Sequence, residues 1–318
     1  MKHILLTGAN GFVGKVLLEM LLAAGYKVSC TSSSADCSPY AGVERVTLDI
    51  RDASACASVI KCLQPTHLIH LAAISHVPTS FREPLLTWHT NVLGCVNLLE
   101  AVKEHAPDTF SLFASSSEVY GEAFKVGMAL DEGSSCLPMN PYAASKLAAE
   151  LAFKQYFKQG LKGVIARPFN HVGVGQSPEF VTASFAKQIA LIEGGRQEPV
   201  LKVGNLDACR DFLDVRDVCA AYIKLLDLSD VRNHSHTFNI ASGVARRIHD
   251  VLQDMVGQSS STIRIELDPE RLRPSDIPFA VGNCGRIQHE LNWRPQIHFV
   301  DTIAQLLADW RVRVAVDS

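Results

Sequence analysis

Apolar residues at positions 3–7 run straight into Gly8-Ala9-Asn10-Gly11-Phe12-Val13-Gly14. A short apolar run closed by a glycine-rich turn predicts a buried strand and a sharp reversal. Residues 16–24 then show helical spacing and stop at Gly25, a natural helix end. Residues 27–31 read as a second strand, 43–48 as a third, 53–63 as a helix and 66–71 as a buried strand. A long helix over 91–105 and a strand over 109–114 follow. Asn140 and Pro141 suit the cap and first turn of a further helix, which the spacing carries to about residue 157. A strand over 163–167 is closed by Pro168. Strands alternating with helices of this length predict an α/β fold, a doubly wound parallel sheet whose ligands sit beyond the C-terminal strand ends.

Beyond Asn170 the strict alternation weakens. A glycine-rich loop over 171–178 precedes a helix over 180–193 and a polar turn over 194–198. Residues 210–215 read as a short strand, 216–228 as a helix, and 237–240 as a strand returning to the main sheet. A final helix over 301–313 follows a loop carrying Arg271, Arg273 and Asp276. No flexible linker divides the chain. The pattern predicts a cofactor-binding domain over 1–168, with returning segments near 210–245. Residues 169–318 then form mainly a smaller, interleaved substrate-binding lobe, with a cleft between the two.

The 318-residue length is ample for such a core. A net charge of −3 gives no basic excess, so no nucleic-acid partner is expected. Charge interrupts every apolar run well short of a membrane span, and the N-terminus lacks a signal-peptide cleavage site. Nine cysteines, an odd number with no CxxC pair, read as reduced thiols of a cytoplasmic protein, and neither they nor the twelve scattered histidines suggest a metal site.

The candidate chemistry lies at the strand ends. Glycines at 8, 11 and 14 let a backbone turn approach a pyrophosphate at a helix N-terminus. Ser115, Ser116, Ser117 and Glu118 follow the strand over 109–114; the alternative for the serines is a solvated loop. Tyr142 and Lys146 stand four apart on one helix face. A lysine ammonium beside a phenol favours the phenolate and equips it to pass a proton near neutral pH. A Tyr-x-x-x-Lys pair also arises by coincidence, so its weight comes from its neighbours. At the end of strand two, Cys30-Thr31-Ser32-Ser33-Ser34 has no acid before Asp36 to repel a 2′-phosphate, so NADP is permitted and NAD remains possible.

Taken in order, the glycine turn, Leu71-Ala72-Ala73, the serine cluster, Tyr142 with Lys146, and Arg167-Pro168 resemble the extended short-chain dehydrogenase/reductase family over nearly the whole chain. That resemblance implies a Rossmann domain with Tyr142 as general acid/base. It further implies that Lys146 lowers the tyrosine pKa and holds the nicotinamide ribose, and that Ser116 bonds the reacting oxygen. Gly8, Asn10, Gly11, Phe12, Val13, Gly14, Ser32, Leu71, Ala72, Ala73 and Arg167 would bind cofactor, and Asp49 and Ile50 would flank the adenine.

Three segments, 167–176, 203–214 and 272–278, resemble the branch acting on GDP-6-deoxyhexoses, in particular reductases of GDP-4-keto-6-deoxy-mannose that make GDP-rhamnose. Val174 departs from the proline usual there. The resemblance implies a GDP-sugar site at Asn170, Lys187, Arg210, Arg271, Arg273 and Asp276. Arg210 and Arg273 are suited to fork onto phosphate oxygens. Each arginine also has a plain reading as a surface ion pair, and two aspartates lie near Arg210. A 4,6-dehydratase would need an extra carboxylate to take the C5 proton, and Glu118 is the candidate. A 4-epimerase needs only Ser116, Tyr142 and Lys146, and a non-catalytic relative would not need to keep Tyr142 and Lys146. Chain length and the 272–278 segment favour the reductase. Relatives pair as homodimers through the helices following Asn91 and Asn140. Val92, Leu93, Val96, Leu99, Leu147 and Leu151 would supply that apolar surface, or would pack on the sheet.

Overall fold

The structure, a computed structural model, describes residues 2–33, 43–230, 236–271 and 277–316. The first half runs β1 (His3–Thr7), α1 (Phe12–Ala23), β2 (Lys27–Ser32), β3 (Glu44–Thr47), α2 (Ala53–Leu63), β4 (His67–His70), α3 (Val77–Arg82), α4 (Pro84–Trp88), α5 (Gly94–His105), β5 (Phe110–Ala114), α6 (Pro141–Lys158) and β6 (Lys162–Pro168). The remainder runs β7 (Asn170–Val172), α7 (Val181–Glu193), β8 (Val200–Val203), β9 (Cys209–Asp214), α8 (Val215–Leu225), β10 (Thr237–Ile240), β11 (Ala245–Arg247), α9 (Ile248–Val256), β12 (Arg264–Leu267), β13 (Phe279–Ala280), α10 (Gly285–Leu291) and α11 (Phe299–Val316).

Seven strands form one parallel sheet in the order β10-β6-β5-β4-β1-β2-β3. Strand alternation decides which face each residue covers. Ile4 and Leu6 of β1 join the cluster beneath α1, α8 and α10, whereas Leu5 joins the cluster under α2, α5 and α6. All three are fully buried, at roughly 1.5–3 kcal/mol each. The strand order reverses between β1 and β4, which opens a crevice at their C-terminal ends.

A separate apolar cluster joins α7, α9 and α11 with β8 and Phe212 of β9. Here β9 is flanked by β11 and β13 and also pairs with β7, while β8 pairs with β12. Of the segment near 210–245, β9 therefore lies in this smaller assembly, and α8 and β10 pack with the main sheet.

Two helix starts differ from the sequence pattern by about a turn, for physical reasons. α1 starts at Phe12 because Gly11 itself is the N-cap. The helix expected from Asn91 is preceded by α4 and a wide π turn over His89–Leu93. Asn91 is not a cap there. It is buried, and its amide bonds Ile74 and Ser145. Among the described residues no helix is long and apolar enough to cross a membrane, and no group of His, Cys, Asp or Glu is placed to hold a metal.

Candidate active site

A cleft of about 1200 Å³ runs from the glycine turn to the smaller assembly. Its floor at one end is backbone. Gly8 has φ +75°, and a Cβ there would lie 2.7 Å from Ala72 N. A Cβ on Gly14 would meet Gly8 O at 2.2 Å. Only glycine permits this close folding of the turn, and it leaves the N-terminus of α1 facing the cleft. Asn10 Nδ2 donates to Ser32 Oγ at 2.9 Å, tying the turn to the end of β2. Beyond β3, Asp49 accepts from Arg51 Nε at 2.9 Å and Nη2 at 2.6 Å. That guanidinium holds the Asp49 carboxyl below its ordinary value. Ile50 is buried, and its Cδ1 would lie 2.7 Å from a Cβ on Gly94. With Phe12, Val13, Leu71, Ala72 and Ala73 on the same wall, the cradle fits a dinucleotide.

α6 delivers the reactive pair. Asn140 Oδ1 caps it by accepting from Ala143 N at 2.8 Å, and Tyr142 N donates to Ser80 Oγ at 3.1 Å. Tyr142 and Lys146 are both buried at the cleft. The expected lowering of the tyrosine by the lysine is not what this geometry produces. Lys146 Nζ donates to Ala114 O at 2.7 Å and lies 4.8 Å from the centre of the Phe113 ring. Burial instead pushes the Tyr142 phenol up to about 12; the Ser116 hydroxyl nearby pulls it down and Glu118 adds to the rise. Burial also pulls Lys146 down to about 8, opposed by Cys95 and Glu150.

The three serines separate. Ser116 lines the same cleft wall as Tyr142, and its Oγ accepts from Glu118 N at 3.2 Å. Ser115 Oγ turns inward and donates to Glu150 Oε1 at 2.6 Å. Glu118 is exposed in the cleft and accepts from Asn140 Nδ2 at 3.1 Å.

At the other end, Asn170, Arg210 and Arg271 line the cleft. Arg210 Nη1 donates to Ile277 O at 2.6 Å, and Arg271 Nη1 to Ser184 Oγ at 3.2 Å. Arg273 and Asp276 lie outside the described residues. Two expected residues are not brought to the cleft. Lys187 points from α7 to Trp310, with Nζ 5.8 Å from the ring centre. Arg167 is buried on Glu150, with Nε 2.8 Å from Oε1 and Nη2 2.6 Å from Oε2. Sequence reasoning passed over Arg51, His171, Ser184 and Lys202, all of which line the cleft. The His171 ring stacks on Phe12 at 6.1 Å, joining the glycine turn to the segment after β6. A histidine beside Asn170 in the recognised motif was the available signal; the others carried none.

The sequence profile described as GDP-mannose 4,6 dehydratase matches residues 5–306. The chain is 34% identical to the GDP-6-deoxy-D-mannose reductase of Pseudomonas aeruginosa, over 98% of each chain. It superposes on the structure of RMD from the same organism complexed with NADPH at a TM-score of 0.84, with 32% identity, covering 98% of this chain and 100% of the other. It also matches Thermus thermophilus UDP-glucose 4-epimerase in complex with NAD at a TM-score of 0.85, with 28% identity, covering 97% of this chain and 99% of that one.

Proposed function

Since the chain belongs to the GDP-mannose 4,6 dehydratase family, an extended short-chain dehydrogenase/reductase group, we propose that it reduces the C4 ketone of GDP-4-keto-6-deoxy-D-mannose to a GDP-6-deoxyhexose, GDP-D-rhamnose by preference. NADPH bound along the glycine cradle, or NADH in its place, supplies the hydride. The carrying observation is the grouping of Ser116, Tyr142 and Lys146, all buried on one cleft that joins a dinucleotide cradle to two arginines. Negative charge grows on the ketone oxygen during reduction. Tyr142 gives that oxygen a proton, and Ser116 donates a hydrogen bond to it. Lys146 holds the cofactor ribose, and Asn10, Ser32, Asp49 and Ile50 line the adenosine end. Arg210 and Arg271, with Arg273 and Asp276 from outside the described residues, hold the GDP diphosphate and orient the sugar.

The division proposed with this reading is a cofactor domain over 1–168, completed by α8 and β10, and a substrate lobe over 169–318. A homodimer is part of the proposal: of the residues expected on the pairing surface Leu93 and Leu151 are exposed while Val92, Val96 and Leu147 are half-buried, and exposed Leu85 of α4 adds to it. Leu99 is excluded from that surface because it is fully buried. A cytoplasmic setting accords with described cysteines that form no disulfide.

Glu118 supports a second reading, a dehydratase, because it is a carboxylate exposed in the cleft near Tyr142. The test is incubation with GDP-4-keto-6-deoxy-D-mannose and NADPH, beside GDP-mannose with NADP. Ketone reduction in the first tube supports the reductase. Consumption of GDP-mannose in the second, abolished by Glu118→Gln, replaces it with the dehydratase.

A further inference from the structure

Tyr142, Lys146 and Glu150 are spaced i, i+4, i+8 and form one row along α6. Each faces a different residue at the end of β5. Lys146 Nζ donates to Ala114 O at 2.7 Å, Glu150 Oε1 accepts from Ser115 Oγ at 2.6 Å, and Tyr142 shares the cleft with Ser116. This row of the helix thus holds Ala114 and Ser115 directly and sets Tyr142 in the same cleft as Ser116.

We propose that Glu150 is a positioning residue: its carboxylate anchors Ser115, and so the strand end that carries Ser116, while its negative charge, one helix turn away, favours the ammonium form of Lys146.

The carboxylate is fully buried, and Arg167 forks onto it from β6. Lys154, one turn further along α6, reaches Oε2 at 3.3 Å. The Arg167 guanidinium lies over the Tyr120 ring, 4.8 Å from its centre. Stability alone gives little reason for such a pair, because a well-packed apolar pair of similar size often does as well or better. An apolar pair would neither accept the Ser115 hydroxyl nor carry charge towards Lys146. The titratable groups around Lys146 come from three elements. His70 of β4 is held neutral by burial, pushed down to about 3. Cys95 of α5 is held as a thiol, pushed up to about 12 by burial. Glu150 of α6 is the neighbour that is ionised at neutral pH, held low by Arg167 and Ser115 against the opposing effect of burial. Cys136 adds no charge beside it, since burial raises that thiol too.

The proposal rests on the reductase reading for its kinetic consequence but not for its electrostatic one, so the test has two arms. In the first, [ε-13C]lysine-labelled protein is titrated by NMR, the Lys146 signal being assigned by its loss in Lys146→Met. Glu150→Gln should move the Lys146 midpoint down by about one pH unit or more from its wild-type position, and Glu150→Asp should restore it. An unchanged midpoint overturns the electrostatic role. In the second arm, Glu150→Gln should lower kcat for ketone reduction about 100-fold, with KM and the NADPH dissociation constant within about threefold. Ser115→Ala, which removes only the hydroxyl, should lower kcat about tenfold while the Lys146 midpoint stays put. This variant also carries the test if Glu150→Gln fails to fold. Full activity in Ser115→Ala, or in a doubly apolar Glu150→Met, Arg167→Met protein, overturns positioning. A wild type that reduces no GDP-keto-sugar sinks the reductase reading, and the titration still judges Glu150.

Discussion

Tyr142→Phe separates catalysis from folding because the two costs differ in size. The substitution removes one hydroxyl and keeps the ring in its packing. The hydroxyl's polar neighbour is the uncharged Ser116, so the stability at stake is at most one neutral hydrogen bond, about 0.5–1.5 kcal/mol net. Ser116 keeps its contact with Glu118 N at 3.2 Å and is not left without a partner. Loss of a positioned general acid costs about 10²–10⁴ in rate, roughly 2.7–5.4 kcal/mol of barrier. The barrier cost therefore exceeds the stability cost even where the two ranges come closest. Stopped-time assays of cofactor oxidation should give kcat at least about 100-fold down, while thermal midpoint and NADPH affinity change little. A variant that keeps kcat within about threefold refutes Tyr142 as the proton donor.

For the free enzyme, kcat/KM should be flat below about pH 7 and fall as pH rises through about 8, because burial lowers the Lys146 pKa and the ammonium is lost there, while Tyr142, at about 12, stays protonated; a limb on the acid side only contradicts this. Gly8→Ala should weaken NADPH binding by more than about tenfold in a fluorescence titration, because its Cβ meets Ala72 N at 2.7 Å, whereas Gly25→Ala, at φ +79° with open space around it, should cost about 1–2 kcal/mol of stability and leave affinity unchanged. Ser32→Asp should raise the NADH/NADPH ratio of kcat/KM by about tenfold or more, since it puts an acid at the end of β2 beside Asn10; an unchanged ratio would remove Ser32 from the ribose site.

Local signals made much of the main sheet legible. β1, α2 and β10 have the bounds expected of them, because apolar runs and capping residues mark both ends. The smaller assembly was largely unread. β7, β11 and β13 are two or three residues long and exist only because β9 lies beside them. β8 and β12 are four residues each and pair only with one another, with β9, α8, β10, β11 and α9 between them in the chain, so no alternating pattern marks them. At the site, spacing together with the order of the surrounding motifs placed Tyr142, Lys146 and the glycine turn on the cleft. The same signals were not enough for Lys187 or Arg167, whose destinations depend on partners far along the chain, Trp310 and Glu150. The direction of the Tyr142 shift was likewise unreadable, because it follows from burial and from Lys146 turning to Ala114 O.

The central claim is reduction at C4 of a GDP-linked keto-sugar, and isotope transfer tests it most directly. The protein is incubated with GDP-4-keto-6-deoxy-D-mannose and NADPH deuterated at the transferable position, and the sugar product is read by NMR. The account predicts deuterium at C4, one atom per product molecule, with the configuration of GDP-D-rhamnose and no product from Tyr142→Phe on the same timescale. Unlabelled product, or turnover of GDP-mannose without added reduced cofactor while the keto-sugar is left untouched, contradicts it.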